Sequence, residues 1–261
     1  MSWNCDRIIY ACVTSLFMAW SAQAWNSELN LQEPDLRTSF PSHSTESLSL
    51  DQIQNYARSI TVKVQSGRSW GSGILIQRKG QSYSVLTNAH VLVWGEQYRV
   101  QTPDGAVYPA QKDTSINWYD NDLAILHFRS ANNYEVANLA KTSPLTPGEQ
   151  VFAAGFPASG NVNSLQGLII TNGEVSSILS QPLIGGYQVG YSNNVEKGMS
   201  GGPVINIYGE VVAINGKHKY PLWGQTFMFS DGSIPALQKQ EEMERYSWAI
   251  PIKNFLRLAP E

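Results

Sequence analysis

An all-β fold of two antiparallel barrels with a short C-terminal helix is what the sequence predicts, on three observations. Runs of alternating apolar and polar residues recur from about Ile60 onward, bounded by Gly, Pro, Asn and Ser. Almost no helical pattern separates them, which excludes a doubly wound sheet, where helical crossovers must join parallel strands. The composition agrees. Hydrophobic residues make up 42% and charged residues 15%, with 21 Gly and 13 Pro, a mixture suited to many short strands and tight turns rather than a helical bundle.

Taken in order, residues 1–24 read as an export signal: Arg7 in a short polar start, an apolar run from Ile8 to Trp20, and Ala22-Gln23-Ala24 as a small-x-small cleavage site. That run is about a dozen residues, short of the roughly 20 that span a bilayer, so no membrane anchor is expected after cleavage. Both cysteines, Cys5 and Cys12, lie within it, so the processed chain would hold no disulfide. Residues 25–49 are polar and aperiodic, a flexible leader or pro-segment. Ser49 is placed to cap a helix over Leu50 to Arg58, where Leu50, Ile53 and Ala57 recur at helical spacing.

The first barrel is expected within 50–140, with strands at Ile60 to Gln65, Ser72 to Gln77, Ser82 to Thr87, Gln97 to Gln101 and Asp122 to Phe128. A polar bridge from Ala131 to Pro147 leads to the second, within 141–261. Its strands are Glu149 to Gly155, Gly167 to Leu179, Tyr187 to Ser192, Pro203 to Ile207, Val211 to Asn215 and Ser247 to Pro251. One helix, Ile252 to Leu258, closes the chain.

The net charge of −3 argues against nucleic acid as partner, because neutralising phosphates needs clustered Lys and Arg. His43, His90, His127 and His218 show no metal-ligand spacing, so neither a metal nor a cofactor is expected.

Three motifs carry chemistry. Gly198-Met199-Ser200-Gly201-Gly202-Pro203 offers a serine with glycines around it, which permit unusual backbone angles and close approach of a carbonyl. The amides of Gly198 and Ser200 are placed to converge on an oxyanion. A serine hydroxyl is a weak nucleophile and needs a base, itself held by a third group. His90, after Val85-Leu86-Thr87-Asn88-Ala89, is the candidate base. His43 falls in the leader, His127 in mid-strand, and His218 too soon after the serine. Asp122, entering Leu123-Ala124-Ile125-Leu126, is the candidate carboxylate, with Asp120 as its rival in the preceding loop.

These segments, with Gly71-Ser72-Gly73-Ile74-Leu75-Ile76, resemble the chymotrypsin-like (trypsin-like) serine peptidases, and within them the cysteine-poor bacterial HtrA-type and glutamyl endopeptidase branches. The resemblance runs from about Ile60 to the C-terminus. It implies two six-stranded antiparallel barrels with the active site in the cleft between them. His90 is then base and acid, Asp122 its orienter, Ser200 the acylated nucleophile, and a protein or peptide the substrate. The strand Val211 to Asn215, with Gly216 after it, would pair with an extended substrate. Met199 stands where many animal members carry an Asp that receives a new N-terminus, so activation by that ion pair is not expected. No binding domain is expected after Glu261, which favours a monomer.

Asn194, six residues before Ser200, occupies a common specificity position. Its neutral amide disfavours a basic side chain before the cut, while Lys197 and His218 leave acidic and apolar preferences open. Two alternatives remain in the sequence. The G-x-S-x-G pattern also suits an α/β-hydrolase esterase, but only Glu210 and His218 follow the serine, too close for the intervening strands and helices. The other is a catalytically silent relative that uses the same scaffold to bind peptides.

Overall fold

The computed structural model describes residues 46–142, 145–158, 167–219 and 227–259. The expected signal and all of the leader before residue 46 lie outside them. The first described element, α1 (Leu50–Ile60), begins as its residues dictate. Ser49 Oγ accepts from the Gln52 amide at 3.3 Å and Gln52 Oε1 accepts from the Ser49 amide at 2.8 Å, a reciprocal cap of two otherwise orphan donors.

Six strands follow: β1 (Thr61–Ser66), β2 (Ser69–Lys79), β3 (Ser82–Thr87), β4 (Tyr98–Gln101), β5 (Val107–Lys112) and β6 (Ala124–Arg129). They close in the order β1-β2-β3-β6-β5-β4, with β4 paired back onto β1. The second six are β7 (Gln150–Gly155), β8 (Ile169–Leu183), β9 (Tyr187–Tyr191), β10 (Pro203–Asn206), β11 (Val211–Lys217) and β12 (Ser247–Pro251). They close as β10-β11-β12-β9-β8-β7. Every pairing between these strands is antiparallel, so the expected architecture is the observed one.

Closure gives several strands two buried faces. On β3, Tyr83 and Val85 fill the first barrel with Val62, Val64, Leu75, Leu126 and Phe128. Leu86 points the other way, into the cluster shared with the second barrel, together with Ile74 of β2 and Ile125 of β6. A strand between two cores keeps its period of two but replaces polar by apolar residues on the second face. Each such Leu or Ile contributes about 1.5–3 kcal/mol on burial.

Two elements escaped the sequence reading. β5 carries Pro109 and is half-exposed along its length, so it lacks both the donor and the apolar rhythm that mark a strand. The helix α2 (Leu237–Met243) has no side-chain cap and buries only Met243, leaving no stripe to detect. Its Met243 carbonyl accepts from Trp248 Nε1 at 3.0 Å, beneath fully buried Trp248.

The helices lock the two barrels together. Ala57 and Ile60 of α1 join the second barrel's core. At the other end, α3 (Ile252–Leu258) reaches back: Phe255 stacks on Trp118, ring centres 6.0 Å apart, and Asn254 Nδ2 donates to Asn121 Oδ1 at 3.0 Å.

Candidate active site

The register of β3 against β6 sets Thr87 opposite Ala124, so the residues just beyond those strand ends must meet. Beyond β3 the chain makes a 3-10 turn, Ala89–Leu92, pinned by buried Val91 and Leu92. That turn presents His90 to Asp122. The His90 Nδ1 lies 2.6 Å from Asp122 Oδ2, and the His90 backbone amide donates to Oδ1 at 2.9 Å. A carboxylate only accepts, so Nδ1 carries the proton and Nε2 is left with its lone pair.

Three further bonds fix the aspartate. Its amide donates to Gly185 O at 3.0 Å, its carbonyl accepts from Asn88 Nδ2 at 2.8 Å, and its Oδ2 accepts from the Tyr187 hydroxyl. The Asp122 side chain is 18% exposed and that of His90 46%. Burial pushes the Asp122 carboxyl up, but the hydrogen bonds and charge of His90, with Tyr187, outweigh it and hold the group below the usual carboxylate range. The rival Asp120 is exposed in the preceding turn.

Around Ser200 the backbone is the working part. Gly198 has φ +96°, and a Cβ there would stand 2.5 Å from Phe156 O. The Lys197 carbonyl accepts from the Ala158 amide at 2.6 Å, and the Met199 carbonyl from the Gly202 amide at 3.1 Å. Carbonyl and amide of one trans peptide point in opposite directions. Pinning those two carbonyls therefore aims the amides of Gly198 and Ser200 away from them, and neither has an acceptor among the described residues.

The first barrel holds this turn through Ser72 of β2, a fully buried residue. Its amide donates to Ser200 O at 2.8 Å, its hydroxyl donates to Gly198 O at 2.9 Å, and Ser72 Oγ accepts in turn from the Phe156 amide at 2.8 Å. Gly201, at φ +87°, packs so tightly against Ser72 O and Thr87 Oγ1 that a side chain there would overlap both. A Cβ on Gly71 would stand 2.6 Å from Val91, the neighbour of His90, and 3.1 Å from Ser200 O. The serine turn and the histidine turn are thus packed on one glycine.

The Ser200 hydroxyl donates to Gly216 O at 2.9 Å rather than to His90. Gly216, a candidate for substrate contact, thus parks the hydroxyl. The structure turns Asn215 inward. Its side chain accepts from Tyr191 Oη at 2.6 Å and donates to Ala154 O at 3.0 Å, and its backbone bonds Gly201 and Gly202. It braces the serine turn from below. Asn194 is exposed, and no hydrogen bond among the described residues ties it to Ser200.

Of the other histidines, His127 pairs with Asp113 at 3.0 Å and Ser84 at 3.2 Å, and His218 Nδ1 faces Lys219 O at 3.0 Å. His43 lies outside the described residues. Among those residues no three His, Cys, Asp or Glu converge as metal ligands. Sequence reasoning missed Tyr187, Asn88 and the role of Ser72. Only Ser72 had a signal, its place between two glycines. The closed antiparallel barrels exclude the α/β-hydrolase alternative.

Comparison with known proteins points the same way. The serine protease HTRA1 of Xenopus laevis is 33% identical over 157 residues, 56% of this chain and 30% of that protein. The mitochondrial serine protease HTRA2 of Drosophila erecta is 28% identical over 205 residues, 71% of this chain and 44% of that protein. The chain therefore spans less than half the length of these relatives. A crystal structure of the serine endoprotease from Yersinia pestis shares the fold, with a TM-score of 0.60 and 24% identity over 81% of this chain and 65% of that one. The model for the trypsin-like peptidase domain matches residues 71–214, more than half of the chain and a span that takes in His90, Asp122 and Ser200. The chain belongs to the trypsin-like peptidase domain family.

Proposed function

We propose that the protein is an exported serine endopeptidase that cleaves protein or peptide substrates through a Ser200 acyl-enzyme. One observation supports this reading: an imidazole held by a largely buried carboxylate sits on a turn that packs, across Gly71, against a serine turn whose Gly198 and Ser200 amides have no acceptor among the described residues. Substrate entry displaces the Ser200 hydroxyl from Gly216 O toward His90 Nε2. His90 takes the proton as Oγ attacks the scissile carbonyl, and Asp122 stabilises the imidazolium that forms.

The oxyanion accepts from the Gly198 and Ser200 amides, each such donor contributing about 3–4 kcal/mol to the transition state. His90 then protonates the leaving amine, and water hydrolyses the ester by the same groups. The chain is a monomer freed of residues 1–24, and the side chain before the cut is acidic or apolar, since Asn194 offers no carboxylate to a cation.

A fluorophosphonate probe on the folded chain tests the reading, with casein hydrolysis alongside. Labelling and hydrolysis that both disappear in Ser200→Ala support the enzyme. A well-folded chain that takes no label identifies a silent peptide binder instead.

A further inference from the structure

We propose that Tyr187 is a positioning residue of this site, its phenol holding the Asp122 carboxylate against His90 from within the second barrel. The inference rests on the serine peptidase reading above. Tyr187 opens β9 and is 2% exposed, yet its hydroxyl reaches across the barrel boundary to Asp122 Oδ2. That oxygen is the one His90 Nδ1 meets. The backbone brings the two segments into line, because the Asp122 amide donates to Gly185 O two residues before the tyrosine.

The ring occupies space that position 216 leaves open. A Cβ on Gly216 would overlap the Tyr187 ring and stand 2.6 Å from its phenol oxygen. The phenol donor to Asp122 thus arrives from β9 through space that a side chain at position 216 of β11 would fill. The phenol remains a donor at any working pH: burial, then the Asp122 charge, push its titration far up. The titratable groups facing the carboxylate are His90 after β3, Tyr187 and, on β11, Lys217, whose Nζ lies 5.0 Å from the Tyr187 ring centre, with Tyr191 behind Tyr187.

The phenol withdraws charge from Oδ2. Its loss would leave a more negative carboxylate facing the imidazolium and a less fixed one, so protonated His90 would persist to higher pH. Tyr187→Phe keeps the ring and removes only this bond. The expected result is kcat reduced at least tenfold with KM unchanged, and an acid limb of kcat/KM moved to higher pH. The His90 imidazole titration, followed by 15N NMR, should move the same way.

A second variant places a hydroxyl on the other element. Tyr187→Val with Gly216→Ser sets the serine oxygen near the vacated phenol position and should recover much of the activity that Tyr187→Val alone loses. Wild-type kcat and wild-type titration in folded Tyr187→Phe would overturn the inference, as would reduced kcat with an unmoved His90 titration. If the wild-type chain neither hydrolyses casein nor takes the fluorophosphonate, the peptidase reading is what fails. The NMR titration then still decides whether Tyr187 governs the pair.

Discussion

Among the described residues, a serine, a histidine and an aspartate come together in two regions of the molecule, and the backbone around the two serines differs. In one, Asp122 binds His90 at Nδ1 and Ser200 stands on a glycine turn with two amides that have no acceptor among the described residues. On the outer face of the first barrel, Asp113 Oδ2 meets His127 Nε2 at 3.0 Å and Ser84 Oγ meets His127 Nδ1 at 3.2 Å, beside a cavity of about 620 Å³. Ser84 lies within β3, with Gln77 opposite it on one neighbour and His127 on the other. Its backbone serves the ladders, so no pair of amides is available to a developing oxyanion. What separates the two groups is the backbone around the serine, which offers amides to an oxyanion at Ser200 and none at Ser84.

The two serines should differ most. Ser200→Ala should lose roughly a millionfold in kcat and all fluorophosphonate label, while Ser84→Ala stays within twofold of wild type. Label transferred to Ser84, or retained without Ser200, would reverse the assignment. Next come the carboxylates. Asp122→Asn should cost about ten-thousandfold in kcat by presenting the wrong imidazole tautomer, and Asp113→Asn almost nothing. An Asp122→Asn enzyme as fast as wild type would move the role elsewhere, with Asp120 the first residue to test.

Gly198→Ala tests the backbone of the serine turn. The added methyl meets Phe156 O at a position with φ +96°, so the amide must turn or shift, and kcat should fall about a hundredfold or more. Counting sites with the fluorophosphonate label separates a slow site from an unfolded one, and an unchanged kcat would mean that this amide is not used.

The smallest effect concerns acid stability. Hydrogen bonds from Ser115 and His127 pull the Asp113 carboxyl from 3.8 down to about 2. A lowered folded value stabilises the protein above the ordinary carboxylate range, and that contribution disappears as pH falls toward 2. Asp113→Asn should therefore narrow the Tm difference between pH 5 and pH 2.5 by calorimetry. An identical difference in both proteins would show that the pair contributes nothing to folding.

Much of this was legible along the chain. Ser82 to Thr87, Ser247 to Pro251 and Ile252 to Leu258 are recovered to the residue, and Ser49 caps α1 as its type suggests. The three motifs also pointed to His90, Asp122 and Ser200 as partners, and His90 and Asp122 are in direct contact. Less visible was anything that depends on which face of a strand meets which neighbour. Asn215 read as substrate-facing, yet barrel closure turns it beneath the serine turn.

The approximate places of most strands, the cap of α1 and the glycine frame of Ser200 were determined by the sequence alone, because they follow from backbone sterics and hydrogen bonding over a few residues. Tertiary structure decided what lies far apart in the chain: Ser72 clamping the Ser200 turn, Tyr187 reaching Asp122, and His127 joined to a second aspartate. Those pairings depend on strand register and on how two closed barrels abut. A one-residue slip reverses every side chain in a strand, and no local pattern records the outcome.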